Sequence, residues 1–230
     1  MVMHNSYDFP QESLKSRRFE AAVSVSAKLF LEKGIDAVKM TDIANETGIG
    51  VATLYRYFGT KTRITIAAMT YLWNDMNKMF SGIFESEVFM RQPGIKQLSD
   101  LMRMAMVFYN AHRDFMKLLG EFDLFLIREN VSKEELDGYE KSVIDFYPFF
   151  EKAYQVGLQD GTVRELENFK LCYLTYAHAL MELTKKLMQG ELLPSDNFSN
   201  ASQELSTLIE TAVYFLRKEP LDGAEKNRDQ

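Results

Sequence analysis

Apolar residues in the first part of the chain return every three or four positions. Between Lys15 and Lys33 they fall at Phe19, Ala22, Val23, Ala27, Phe30 and Leu31, which is the spacing of one helical face. Gly34 follows and suits a helix C-terminus. Thr41 suits the N-cap of a short second helix through Thr47, with Ile43 and Ala44 facing inward, and Gly48 closes it. A third short helix is predicted from about Val51 to Phe58, and a long fourth from Thr60 to roughly Phe84. Beyond Pro93-Gly94 the same spacing predicts helices at 95–111, 112–128, 133–159, 167–189 and 199–217. Pro148 lacks a backbone donor, so it is expected to kink or restart the 133–159 span. Period-two alternation persists nowhere, and the pattern predicts an all-α chain of about nine helices. Composition shifts between Trp73 and Phe80 without a Gly/Ser/Pro-rich tether. The helix from Thr60 is therefore expected to belong to two domains, at residues 15–75 and 76–218, ahead of a polar tail at 219–230.

The stretch from Thr41 to Lys61, "TDIANETGIGVATLYRYFGTK", brackets a turn with glycines. It lacks the third glycine of a dinucleotide loop and the Gly-Lys-Ser/Thr ending of a phosphate loop, and no strand precedes it. A helix-turn-helix accounts for more of it. Ile43 and Ala44 give the first helix a small apolar face, Gly48-Ile49-Gly50 makes a tight turn with one buried residue, and Leu54 and Phe58 anchor the second helix. Ala52, Thr53, Arg56 and Tyr57 then point outward, Val51 sits at the exposed start, and Tyr55 falls beside the buried face. Methyl groups can meet thymine methyls and Arg can pair with guanine O6 and N7. Tyr and Lys can hold phosphates and set the register.

Charge first argues against a polyanionic partner, since the net charge is −6. Its distribution reverses that impression. Residues 1–80 carry 10 Lys and Arg against 8 Asp and Glu, whereas the remainder carries 17 against 25. No acid occurs between Thr47 and Asn74, which holds Arg56, Lys61 and Arg63, and such a local patch can act independently of a distant acidic body. The single cysteine, Cys172, precludes an intramolecular disulfide and fits a reducing compartment. The N-terminus has no basic start with an apolar block, and no apolar run approaches the roughly 20 residues of a membrane span. A cytoplasmic location is expected. His4, His112 and His178 are too scattered for a zinc cluster, no hydrolase signature is present, and neither catalysis nor a cofactor is expected.

The run "SRRFEAAVSVSAKLFLEKGIDAVKMTDIANETGIGVATLYRYFGTKTRI" resembles the DNA-binding domain of the tetracycline-repressor (TetR) family over about 60 residues. The likeness rests on ordered pieces: Leu29-Phe30, Glu32-Lys33-Gly34, Thr41-x-Ile43-Ala44, Gly48-Ile49, and Thr53-Leu54-Tyr55-x-Tyr57-Phe58 with Lys61. It implies a three-helix helix-turn-helix domain followed by a larger helical ligand-binding and dimerisation domain. Val51, Ala52, Thr53 and Arg56 would face bases, while Tyr55, Tyr57 and Lys61 would hold phosphates. Thr41, Arg17 and Arg18 would touch flanking phosphates or a minor groove. The run departs from the family pattern at two places. Gly50 replaces a frequent serine, which costs the cap only a few tenths of a kcal/mol, and Thr62-Arg63 replaces an acid commonly found after the lysine.

Beyond that domain the resemblance is architectural. It implies that the last two long helices pair with their copies in a homodimer. Stripes at Leu171, Tyr173, Leu174, Ala177, Leu180, Met181 and Thr184, and at Leu205, Leu208, Ile209, Ala212, Val213 and Leu216, are wide enough to serve core and partner together. Two copies one helical turn apart would read a near-palindromic duplex. Large, soft side chains in the C-terminal body include Met102, Met106, Tyr109, Phe115, Phe122, Phe146 and Phe150. Methionine adapts to varied shapes, and the group suggests a small apolar or aromatic effector, with His178 among the residues able to orient a polar end. The expected function is a ligand-responsive transcriptional repressor. Two alternatives stand beside it: a helical small-molecule carrier or enzyme with a vestigial DNA-binding motif, and a DNA-binding architectural factor governed by a protein partner.

Overall fold

Helices form where the three-and-four spacing predicts them, though several are shorter than expected. The structure, a computed structural model, describes residues 9–189 and 197–218. The tail at 219–230 and His4 lie outside these residues. In chain order the helices are α1 (Phe9–Lys33), α2 (Met40–Thr47), α3 (Val51–Phe58), α4 (Lys61–Phe84), α5 (Glu87–Met90) and α6 (Gly94–Met102). They continue with α7 (Met104–Ala111), α8 (Arg113–Arg128), α9 (Asp137–Glu140), α10 (Tyr147–Gln159), α11 (Phe169–Gln189) and α12 (Ala201–Leu216). A 3-10 turn at Glu134–Leu136 precedes α9. Among the described residues there is no strand, only one isolated antiparallel bridge between Val163 and Arg217. The chain is all-α, as its spacing implied.

The roughly nine expected spans are subdivided. The span predicted at 95–111 breaks at Arg103 into α6 and α7, and 133–159 breaks into the 3-10 turn, α9 and α10. Pro148 is responsible for the last restart, since it occupies the first turn of α10, where a missing N–H costs nothing. Thr41 does not cap α2. The helix begins one residue earlier, and the Asp42 carboxylate accepts the Lys39 backbone N–H at 2.8 Å.

The described chain resolves into two compact units. The first holds residues up to Phe80 together with Asp114–Ile144, and the second holds Ser81–Arg113 and residues from Asp145 onward. The first unit buries Phe30, Ile43, Leu54, Ile64, Met69, Leu118 and Phe122 to less than 2% exposure. Trp73, the sole tryptophan, lies edge-on to Phe115 and donates its Nε1–H to the Tyr139 hydroxyl at 3.0 Å. That partner satisfies the indole N–H inside an otherwise apolar setting.

In the second unit α6 crosses α10 at glycines. A Cβ placed on Gly94 would lie 2.1 Å from the Gly157 nitrogen, so only glycine permits this approach. The start of α6 is capped from the end of α10: the Gly94 N–H donates to the Asp160 carboxylate at 2.8 Å, and the Ile95 N–H donates to the Thr162 hydroxyl at 3.2 Å. These contacts satisfy two of the first-turn donors that a helix leaves open. Leu205, Ile209 and Ala212 carry the buried face of α12.

Candidate nucleic-acid interface

α2 and α3 are joined by a turn whose geometry follows from three residues. Gly48 adopts φ +67°, the left-handed conformation that reverses the chain after a helix and costs other residues energy. Ile49 is buried beneath the turn. The Thr47 hydroxyl donates to the Ile43 carbonyl at 2.7 Å and accepts the Ile49 N–H at 3.2 Å, so it fastens the turn from within. The role of Thr47 was not legible in the sequence, because its side chain closes on neighbours rather than repeating along a face. Gly50 stands at the N-cap of α3 without a side-chain cap, as the missing serine implied.

The anchoring of α3 decides what it exposes. Leu54 and Phe58 are buried at 0% and 4% exposure. Ala52 and Arg56 are exposed, while Val51, Thr53 and Tyr57 are half-buried. Tyr55, expected beside the buried face, is exposed instead. The Tyr57 ring lies 6.4 Å from both Phe19 and Phe58, and the Arg56 guanidinium sits 5.8 Å over it. Phe19, expected on the inner face of α1, is 40% exposed yet stacks on Phe58 at 4.7 Å. Arg17, Arg18 and Thr41 are exposed.

Lys61 is placed differently from a surface phosphate clamp. Its ammonium donates to the Ile35 carbonyl at 2.6 Å, and burial pulls its pKa below the usual lysine range, partly opposed by the Asp36 charge. The turn it holds is held twice more from α8. The Ile35 N–H donates to Glu121 Oε2 at 3.1 Å, and the Arg128 guanidinium grips the Asp36 carboxylate in a two-pronged contact, 2.9 Å on one side. The Arg128 hydrogen bond holds the Asp36 carboxyl below its usual range. Gly34, at φ +80°, fits this clamp because an added Cβ would meet Glu121 Oε2 at 2.8 Å. Three side chains from α4 and α8 thus hold the segment that leads into α2, and Glu121, Arg128 and Asp36 carry no sequence signal for it.

The residues expected to hold an effector fall in both compact units. Phe115 and Phe122 are buried in the first unit, where Phe122 lies 5.0 Å from Tyr139. Met102 and Phe150 meet in the second unit at a cavity of about 20 Å³, lined also by Phe169, Cys172, Tyr173 and Leu180. Met106 and Tyr109 are half-buried on α7, Phe146 packs 6.4 Å from Phe84, and His178 is exposed on α11. Leu171 and Leu174 on α11 and Tyr214 and Phe215 on α12 are large apolar or aromatic side chains left exposed. No described helix is long and apolar enough to cross a membrane.

Comparison with known proteins agrees with this geometry. Residues 22–68 match the family model of bacterial regulatory proteins of the tetR family. The uncharacterised HTH-type transcriptional regulator YerO of Bacillus subtilis (strain 168) is 26% identical over 183 residues, 75% of this chain and 57% of YerO. The nucleoid occlusion factor SlmA of Mannheimia succiniciproducens is 28% identical over 109 residues, 47% of this chain and 49% of SlmA. The chain thus spans about half the length of the curated relatives it matches. A proposed transcriptional regulator from Saccharomonospora viridis, solved with choline, superposes with a TM-score of 0.64 at 16% identity, covering 91% of this chain and 100% of that one. At that identity the likeness shows the fold. Taken with the turn at Gly48 and the outward face of α3, these matches identify residues 22–68 as a DNA-binding domain of the tetR family of bacterial regulatory proteins, with α2 and α3 as its helix-turn-helix.

Proposed function

We propose that the chain is a homodimeric transcriptional repressor that reads a near-palindromic operator and leaves it when a small apolar or aromatic effector binds. The carrying observation is the outward surface of α3, where Ala52, Tyr55 and Arg56 are exposed over anchors at Leu54 and Phe58. Ala52, Arg56, Val51 and Thr53 face base edges, Tyr55 and Tyr57 hold phosphates, and Arg17, Arg18 and Thr41 extend the contact along the backbone. Lys61 would join them only by giving up its bond to Ile35. One eight-residue helix reaches few base pairs, so two copies roughly 34–36 Å apart raise affinity on a two-fold site. Exposed Leu171, Leu174, Tyr214 and Phe215 supply an apolar face for that pairing.

An effector that enters among Met102, Phe150 and Tyr173 must widen a cavity now about the size of one water. Such widening favours a second packing of the unit, and ligand shifts the population toward it. The choline held by the Saccharomonospora viridis protein supports a small-molecule effector. The likeness to the nucleoid occlusion factor SlmA favours a second reading, a DNA-binding architectural factor under a protein partner.

Selection of bound duplexes from a random pool tests the first reading. It should return an inverted repeat. Arg56→Ala should weaken the selected duplex by about 5–150-fold, the equivalent of ~1–3 kcal/mol for one bidentate base contact. A protein that enriches no duplex, or whose Arg56→Ala variant binds unchanged, overturns it. Enrichment with no response to any small-molecule library favours the second reading.

A further inference from the structure

The first unit contains a cavity of about 610 Å³ between α1, α4 and the segment around α9. Its volume falls within the roughly 300–1,000 Å³ range of small-molecule sites. From this groove we infer a binding site for an uncharged, largely aromatic small molecule, set inside the DNA-binding unit and separate from the cavity near Met102.

The lining defines that class of ligand. Phe19, Tyr71 and Tyr139 bring aromatic rings to the lining, and Ala67, Thr70 and Gly138 bring small residues that leave room beside them. Phe19 and Tyr71 remain 40% and 39% exposed, so large ring surfaces face open space. A flat ring system entering there gains ring contacts on several sides. The two charges in the lining, Arg63 and Glu135, lie 3.7 Å apart and neutralise each other. A charged ligand would have to break that pair, whereas a neutral one leaves it intact. The Tyr139 hydroxyl accepts from Trp73, and a phenol that accepts one hydrogen bond can still donate its own hydrogen.

The site bears on α3 through one ring. Phe19 forms a wall of the cavity and also stacks on Phe58, the last residue of α3, with 24° between the ring planes. An occupant that tilts Phe19 alters the seat of the recognition helix. This consequence for duplex affinity rests on the operator-binding reading above; ligand binding itself does not.

N-phenyl-1-naphthylamine, a neutral two-ring-system fluorophore that brightens in apolar surroundings, tests the site on the full chain without DNA. The expected result is saturable binding at one probe per chain. A Cβ on Gly138 meets nothing within 4 Å, so Gly138→Trp adds an indole over the groove without crowding its own backbone. It should weaken the probe at least tenfold, as should Thr70→Phe, with each fold checked by circular dichroism. The anionic relative 1-anilinonaphthalene-8-sulfonate should bind more weakly than the neutral probe. Hydrogen–deuterium exchange on the unmodified chain gives a readout independent of any variant, with probe-dependent protection at 19–23 and 134–140. No saturable binding, full affinity in both folded variants, tighter binding of the sulfonate, or protection confined to the second unit would each overturn the inference. Since no duplex is present, failure here leaves the operator reading standing, and failure to bind any operator leaves this site standing.

Discussion

Gly34 allows the clamp on the α1–α2 turn to be measured. In Gly34→Ala the new side chain meets two costs. The φ of +80° is worth about 1–2 kcal/mol against any residue with a Cβ. The Cβ would also sit 2.8 Å from Glu121 Oε2, and the carboxylate, as the end of a flexible side chain, moves away. That movement removes the hydrogen bond from the Ile35 N–H, worth about 1 kcal/mol at an exposed carboxylate. Gly34→Ala should therefore cost about 2–3 kcal/mol. Gly48→Ala is the control, because its φ is +67° but nothing lies within 4 Å of its Cβ; it should cost only about 1–2 kcal/mol. In a Glu121→Ala background the penalty at Gly34 should fall to the level of Gly48, a coupling of about 1 kcal/mol. Trp73, buried in the same unit and alone in the chain, reports urea unfolding of that unit. A shift of 1 kcal/mol moves the midpoint by about 0.3–1 M. If Gly34→Ala and Gly48→Ala cost the same, or if the coupling lies within the ~0.5 kcal/mol error of additivity, Glu121 does not hold the turn.

Two further outcomes are expected. Burial pushes the Tyr139 hydroxyl up to about 12. A raised pKa contributes stability that is whole below the unfolded value near 10 and is lost as pH climbs through 12, at most about 2–3 kcal/mol. Urea midpoints at pH 9, 10.5 and 11.5 should fall less steeply for Tyr139→Phe than for the unmodified chain, and an unchanged slope would place the alkaline loss elsewhere. In the second unit, Gly94→Ala would set a Cβ 2.1 Å from the Gly157 nitrogen and 2.7 Å from the Ala153 carbonyl oxygen. Backbone cannot yield as a side chain can, so the two helices must separate, at a cost of about 3 kcal/mol or more; a thermal midpoint by circular dichroism within 2 °C of the parent, roughly 0.5–1 kcal/mol on the usual scale, would contradict the close crossing.

Much of the DNA-binding unit was legible from spacing alone. The bounds of α3, the anchors Leu54 and Phe58, the exposed pair Ala52 and Arg56, and the left-handed glycines at Gly34 and Gly48 all follow from residues a few positions apart. Such signals are local, since the helix repeats every 3.6 residues and its ends need particular backbone conformations. Even so, the spacing misleads at the margins of a face. Tyr55 turned outward and Phe19 remained part-exposed, because the width of a buried face depends on what covers it.

What lay beyond the sequence concerns partners distant along the chain. Ile35 is joined to Glu121 across 86 positions and to Lys61 across 26, and Asp36 to Arg128 across 92. No periodicity marks these pairs, and the inward turn of Lys61 is a consequence of them. The soft aromatic residues show the same limit. Composition marks Phe115, Phe122, Met102 and Phe150 as large apolar side chains suited to burial, and they are buried. It carried no information on their neighbours, and folding sent the first two into one compact unit and the last two into the other. Hydrophobic burial is non-directional: the chain alone determined which side chains leave water, and only the tertiary packing decided what they meet there.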